Sequence, residues 1–373
     1  MSAALTTDPT RQRARRLDRW PAIWLRDNCR CTDCRDPRNG QKLFGITDLP
    51  ARPEIVGVTL ADDERDGPVA IVEFAPPHRG SYPLSWLDAV ESTPVDDGRT
   101  ENGKALWAAG DLDGRLPSAG WQDHRDRPAE RLRVLDAVRS LGFALLRDVP
   151  TRPGTVLDVA ATFGFVRTTN YGDLFDVRVQ AQPNNLAFTS SRITPHTDNP
   201  YRDPVPTIQL LHCLENAAVG GDSGLVDGFH AAALLRAEHP EAFAVLTRTP
   251  VPFRFADADT VLLAERPMID VDPLGRIREV RFNNRSIQPM VLPAEELVAF
   301  YDAYRTFAEL IDRPELRLDL RLEPGDCLVF DNVRLLHART AYAESGARHL
   351  QGCYADLDAL HSSAAVLRAA VTA

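Results

Sequence analysis

The sequence predicts an α+β protein whose larger part is a barrel-like sandwich of many short strands flanked by helices. Three observations lead there. Apolar or alternating runs of strand length recur at 142–147, 176–182, 207–213, 277–282, 316–322 and 326–330. Helical spacing is confined to 131–140, 155–163, 231–238 and 294–311. Strands and helices do not alternate regularly, as a parallel βαβ sheet would require. A chain of 373 residues, 44% of them hydrophobic, can bury the core such an architecture needs. Its formal net charge of −10 disfavours a nucleic-acid partner.

Residues 1–18 carry no apolar stretch of the kind an export signal needs and are expected to be a flexible tail, which makes a cytoplasmic location the default. No run approaches the roughly 20 apolar residues that cross a bilayer. Residues 19–95 are expected to form a small separate domain. Within it Cys29, Cys31 and Cys34 stand at Cys-x-Cys-x2-Cys spacing, where three thiolates can share one soft ion such as zinc. Tetrahedral zinc needs a fourth ligand. Strands are expected around 54–60 and 69–74, and a hairpin can return His78 to the cysteines; His124 is an alternative donor. A closed Cys3His site would stabilise a subdomain with too little core of its own. Reduced, unligated cysteines are the plain alternative. Cys213, Cys327 and Cys353 sit in apolar runs, where a free thiol acts as a small hydrophobe, so no disulfide framework is expected. Residues 96–122, rich in Asp, Gly and Ser, read as a linker.

The larger domain, 123–373, contains Pro195-His-Thr-Asp-Asn-Pro200. The two prolines favour extended backbone, so His196 and Asp198 project to one face. A strand at 326–330, after the Pro324-Gly325 turn, ends near His337 and can bring it opposite this pair. Two histidines and a carboxylate on one side of an ion leave positions open, the pattern of non-haem Fe(II) oxygenases. Arg348, eleven positions beyond His337, can clamp a carboxylate bidentately. Taken singly, a His-x-Asp pair is more often a surface turn, and a lone Arg more often a surface ion pair.

Together these residues resemble the γ-butyrobetaine dioxygenases, in the taurine-dioxygenase-like branch of the Fe(II)/2-oxoglutarate oxygenases. The likeness runs from Trp24-Leu-Arg-Asp-Asn-Cys29 to Tyr354-Ala-Asp356. It rests on the cysteine cluster with His78, His-Thr-Asp-Asn-Pro, Gln209-Leu-Leu-His-Cys, Gly220-Gly-Asp-Ser, Val226-Asp-Gly-Phe, Arg281-Phe-Asn-Asn and Phe330-Asp-Asn with Leu335-Leu-His337. The resemblance implies a double-stranded β-helix (jelly-roll) catalytic domain behind a small zinc-binding β domain, in a homodimer. It implies Fe(II) on His196, Asp198 and His337, and zinc on Cys29, Cys31, Cys34 and His78. It also implies that Arg348 pairs with the distal carboxylate of 2-oxoglutarate, which is consumed with O2 as C–H hydroxylation proceeds.

For the organic substrate, the resemblance implies an aromatic cage for a trimethylammonium head at Tyr171, Phe175, Phe188 and Tyr354. Aromatic faces attract such a cation by roughly 0.5–2 kcal/mol each. Phe175 and Phe188 depart from the tyrosine or tryptophan common in relatives. Asn185 and Asn283 match positions that hold an anionic tail, and Asn199 and Arg285 add donors beside them. γ-Butyrobetaine, giving carnitine, is the favoured substrate; 2-(trimethylammonio)ethylphosphonate, whose tail has more acceptor oxygens, is the alternative. Three rivals lie outside this class, one of them a partner-binding zinc finger at the cysteine module, which the −10 charge disfavours for nucleic acid. A non-catalytic metal-dependent binding protein would bind ligand without forming succinate, and a hydrolase would need a further metal ligand or base that the sequence does not offer.

Overall fold

The computed structural model describes residues 17–64, 66–91, 100–101, 103–112, 115–178, 189–343 and 346–372. Contacts divide the chain into two units, 1–95 and 96–373.

The first unit opens with helix α1 (Ala22–Asp27) and continues as a three-stranded antiparallel meander, β1 (Glu54–Asp63), β2 (Gly67–Ala75) and β3 (His78–Pro83), then α2 (Leu84–Glu91). Its core is small and built around Leu25, Val72, Phe74 and Tyr82, with Cys29 and Cys34 among its buried members. The fully buried Tyr82 hydroxyl donates to Leu25 O at 2.5 Å and so ties α1 to the sheet. Leu17, which falls inside the expected tail, is buried in this core. His78 opens β3 instead of closing β2.

The second unit begins with three short strands, β4 (Thr100–Glu101), β5 (Lys104–Ala105) and β6 (Ser118–Gly120), and helices α3 (Trp121–Asp126) and α4 (Pro128–Leu141). Strand β7 (Phe143–Arg147), helix α5 (Thr155–Ala161) and strands β8 (Phe175–Val177), β9 (Ile193–His196), β10 (Ile208–Asn216) and β11 (Ser223–Asp227) follow. Next come α6 (Gly228–Glu238), α7 (Pro240–Arg248), the hairpins β12 (Val251–Ala256) with β13 (Val261–Arg266) and β14 (Ile269–Val271) with β15 (Ile277–Val280), and α8 (Ala294–Ile311). The chain closes with β16 (Arg317–Leu320), β17 (Cys327–Asp331), β18 (Leu335–Arg339), β19 (Arg348–Ala355) and α9 (Leu357–Thr372). Two main sheets result, ordered β6-β7-β17-β10-β19-β8 and β16-β11-β18-β9. Only the β6–β7 pair is parallel among the described residues.

The apolar runs follow from this layering. In β7, Phe143 and Leu145 join a core that also holds Leu225 and Leu335 of the second sheet. Ala144 and Leu146 face the other way, onto Val134 and Val138 of α4 and Leu360 of α9. Strand β17 divides likewise, Leu328 and Phe330 to one core and Cys327 and Val329 to the other. A strand covered on both faces needs apolar residues at every position, which is why periodicity alone cannot orient it. The run expected at 176–182 is a strand only over Phe175–Val177 among the described residues. The described residues of the stretch expected as a linker, 96–122, are built into this unit. Trp107 is buried in the core between the sheets with its Nε1 donating to Leu141 O at 2.7 Å, and β6 lies beside β7. One tryptophan and a three-residue strand leave no periodic signal in the sequence.

Candidate active site

Strand β9 ends at His196, paired directly opposite His337 on β18. The chain then turns through Asp198 into Asn199, whose φ of +58° is a left-handed conformation asparagine tolerates better than most side chains. The fully buried Asn332 fixes this turn: its Oδ1 accepts from Asp198 N at 2.8 Å, and its Nδ2 donates to Asp198 O and Pro206 O, each at 3.0 Å. Behind it, Thr197 and Phe282 pair through backbone and hydroxyl, and Arg281 donates to Pro200 O at 3.0 Å and Arg202 O at 3.1 Å.

The result gathers His196, Asp198 and His337 so that one donor atom of each lies within 4.8 Å of the others. His196 Nε2 is 3.4 Å from Asp198 Oδ1 and His337 Nε2 is 3.8 Å from Asp198 Oδ2. The second ring nitrogen of His196 contacts Thr194 O at 2.9 Å, which turns Nε2 toward the carboxylate. From the larger sheet, Gln209 on β10 and its register partner Tyr354 on β19 both donate to Asp198 Oδ2, at 3.0 and 3.1 Å. Burial pushes His337 down to about 3, helped by His196 and opposed by Asp198, so its imidazole is neutral near pH 7. Burial works to raise the Asp198 carboxyl, but its interactions with the His337 and His196 imidazoles and the hydrogen bond from Tyr354 outweigh it and hold the group below the usual carboxylate range. Two imidazoles and one ionised carboxylate form a donor set suited to a divalent first-row ion.

These residues line a cavity of about 510 Å³, and most of the predicted site residues line it too: Arg348, Tyr171, Phe175, Tyr354, Asn199, Asn283 and Arg285. Asn185 and Phe188 lie outside the described residues. Ring centroids of Phe175 and Tyr354 are 5.1 Å apart, and those of Tyr171 and Phe175 6.5 Å. The Asn283 amide is partly committed, donating to Thr197 O at 3.1 Å and accepting from Arg285 N at 3.2 Å, which leaves one N–H for a ligand. Both side-chain polar atoms of the buried Asn199 lack a hydrogen-bond partner among the described residues. Arg202, which follows Asn199 by three positions, donates to Asn170 Oδ1.

In the first unit, Cys29, Cys31, Cys34 and His78 form a second cluster, again within 4.8 Å. His78 Nε2 lies 3.2, 3.6 and 3.8 Å from the sulfurs of Cys29, Cys34 and Cys31. Ligand atoms of a tetrahedral zinc stand about 3.5–3.8 Å apart, close to these distances. Burial pushes the Cys29 thiol up to about 12 and also raises Cys34 against the pull of Arg26, whose Nη1 is 3.2 Å from that sulfur.

Residues 117–354 match the family described as "Taurine catabolism dioxygenase TauD, TfdA family". The γ-butyrobetaine dioxygenase of Pseudomonas sp. (strain AK-1) is 38% identical over 93% of this chain and 90% of its own. The chain belongs to the TauD/TfdA family. It is an Fe(II)- and 2-oxoglutarate-dependent dioxygenase of mixed α and β content. Other relatives include the human γ-butyrobetaine dioxygenase, 30% identical over 94% of this chain and 91% of its own, and a trimethyllysine dioxygenase of Meyerozyma guilliermondii, 31% identical over 90% and 87%.

For a dioxygenase of this family, several cavity residues carried no recognisable signal in the sequence. Tyr201 and Phe255 extend the aromatic wall, with centroids 5.2 Å apart, and the Tyr201 hydroxyl meets that of Tyr171 at 3.0 Å. Arg254 enters from the β12–β13 hairpin and makes no side-chain hydrogen bond or ion pair among the described residues. Gln209 and Asn332 stand inside quoted motifs, but only the fold reveals that both hold Asp198.

Proposed function

We propose that this dioxygenase hydroxylates an unactivated C–H bond of a small trimethylammonium compound with an anionic tail, γ-butyrobetaine to carnitine first among them. The observation that carries the reading is one cavity lined by five aromatic rings, by Asn199, Asn283 and Arg285, and by the two-histidine, one-carboxylate cluster. Relatives named γ-butyrobetaine dioxygenase support it across nearly the whole chain.

In this reading His196, Asp198 and His337 hold Fe(II), and the Arg348 guanidinium pairs with the distal carboxylate of 2-oxoglutarate. Iron, with 2-oxoglutarate and O2, supplies the oxidising chemistry. The chain's own work is placement. Gln209 and Tyr354 fix the Asp198 rotamer through its Oδ2. Tyr171, Phe175, Tyr201, Phe255 and Tyr354 offer ring faces to a cation that has no N–H to donate. Asn199, Asn283 and Arg285 donate to the tail and set which carbon faces the metal. No general base is required. We read the two main sheets as the halves of a double-stranded β-helix, and Cys29, Cys31, Cys34 and His78 as ligands of a structural zinc. A cytoplasmic homodimer is the setting we propose.

A phosphonate tail is the second reading, favoured by Arg254 joining Arg285 on the cavity wall. The test is a panel of trimethylammonium carboxylates and phosphonates, scored by succinate formed with Fe(II) and 2-oxoglutarate. Turnover is expected for at least one member, and the preferred tail separates the two readings. No turnover across the panel overturns the substrate class.

A further inference from the structure

We propose that Tyr342 is the positioning residue for the 2-oxoglutarate clamp, holding the Arg348 guanidinium in place through its ring face. This rests on the reading of Arg348 as the carboxylate partner.

Arg348 opens β19 and is 7% exposed, facing the cavity. Among the described residues its guanidinium has no hydrogen bond and no ion pair, and its Nε is buried without a partner. A buried cation in that condition is costly unless something else offsets lost hydration. What lies against it is an aromatic ring: the guanidinium carbon sits 5.4 Å from the centroid of Tyr342. A ring face stabilises a guanidinium without using up its N–H groups, so all of them stay available for a carboxylate.

The surroundings are built for this contact. Segments 219–222 and 340–343 pair as a short ribbon: Gly221 N donates to Ala341 O at 3.3 Å, Thr340 N to Asp222 O at 2.9 Å and Ala343 N to Val219 O at 3.0 Å. Tyr342 N donates to Ser190 O at 3.1 Å and its hydroxyl to Thr189 O at 3.3 Å, so the ring is held at both ends. Gly221, at φ +75°, completes the slot. A Cβ there would stand 3.0 Å from Arg348 Nε, 3.1 Å from its Cδ and 3.3 Å from Tyr342 Cβ. The arginine stem passes between the bare Gly221 backbone and the Tyr342 ring, a passage any side chain at 221 would close. A second guanidinium, Arg339, also lies over this ring at 5.0 Å and donates to Thr189 O and Ser191 O at 2.6 and 2.8 Å. The ring therefore carries two cations, and its electrostatic character is what they share.

The test separates that character from packing. Tyr342→Phe and Tyr342→pentafluorophenylalanine have nearly the same shape, but fluorination removes the negative face. Calorimetry of 2-oxoglutarate binding to the Mn(II)-loaded full chain should give an affinity within about threefold of wild type for Tyr342→Phe, which keeps the ring face and loses only the long hydrogen bond to Thr189 O. A loss of roughly tenfold is expected for the fluorinated variant. The KM for the trimethylammonium substrate should move less than about twofold in both. Equal 2-oxoglutarate affinity in the two variants overturns the role of Tyr342. Arg348→Leu is the companion arm. If it weakens 2-oxoglutarate binding while fluorination does not, only the ring's role fails; if it too has no effect, the clamp reading fails with it.

Discussion

The two ligand clusters of this chain invite comparison, because each collects its donors within the same 4.8 Å yet by a different route. Three of the four donors in the first unit come from one stretch of six residues, Cys29 to Cys34, and the fourth from the start of a neighbouring hairpin strand. The second cluster joins residues 196 and 198 to residue 337 and exists only because β9 lies beside β18. Cys29 and Cys34 are buried in a small core, so an ion there would crosslink a unit short of apolar contacts. His196, Asp198 and His337 border a cavity, so an ion there would keep positions for ligands. The lesson is that chain proximity suits a structural crosslink, whereas a reacting centre takes donors from strands rigid enough to hold them without one.

The sharpest way to break this contrast is to remove a ligand from each. His196→Ala should lower succinate formation by at least about a thousandfold while leaving the melting temperature within a few degrees, since His196 belongs to neither of the apolar cores that hold the sheets. Cys31→Ser should do the reverse, destabilising the protein by several kcal/mol and lowering its zinc content, read by thermal denaturation and metal analysis. Wild-type stability with Cys31→Ser would remove the structural role from the cluster.

The pH dependence of metal uptake should differ as well. Burial, first among the causes, keeps the metal-free Cys29 and Cys34 thiols protonated well above neutrality. A metal must displace those protons, so apparent affinity should fall by about tenfold per thiol for each unit of falling pH. Asp198 is held below the ordinary carboxylate range and His337 at about 3, so between pH 6 and 8 both already stand in their ligand forms. Neither adds a slope to metal binding at the second cluster. Titrations of each site in buffers of different ionisation enthalpy measure the protons released. The smallest effect concerns support: Tyr354→Phe removes one of the two side-chain bonds to Asp198 Oδ2 and should weaken metal binding about tenfold, with little change in stability. An unchanged affinity would mean that Gln209 alone suffices.

The two clusters were unequally legible in the sequence. Cys-x-Cys-x2-Cys is a local pattern, and spacing alone brings the thiols close. His-x-Asp was legible as half a site, but its link to His337 required a strand pairing that no local propensity encodes. The same holds for Gln209 and Tyr354, which meet Asp198 because they are register partners on adjacent strands. Arg254 and Phe255 carry no local signal, because a hairpin folds them onto the cavity from a region with no motif of its own. Trp107, within the stretch expected as a linker, is equally silent, since a single aromatic in a polar stretch looks like an exposed one until the core closes over it.

By itself the sequence determined what depends on neighbours along the chain: helices such as α8, whose predicted span 294–311 is the observed one, the strand runs, the cysteine cluster and the His-x-Asp pair. Tertiary structure alone decided which face each doubly covered strand turns to the cavity, which donors steady Asp198, and that Tyr342 and Gly221 enclose the Arg348 stem. The physical reason is common to all three. Register between strands is set by burial summed over whole sheets, and no short window of sequence contains that sum.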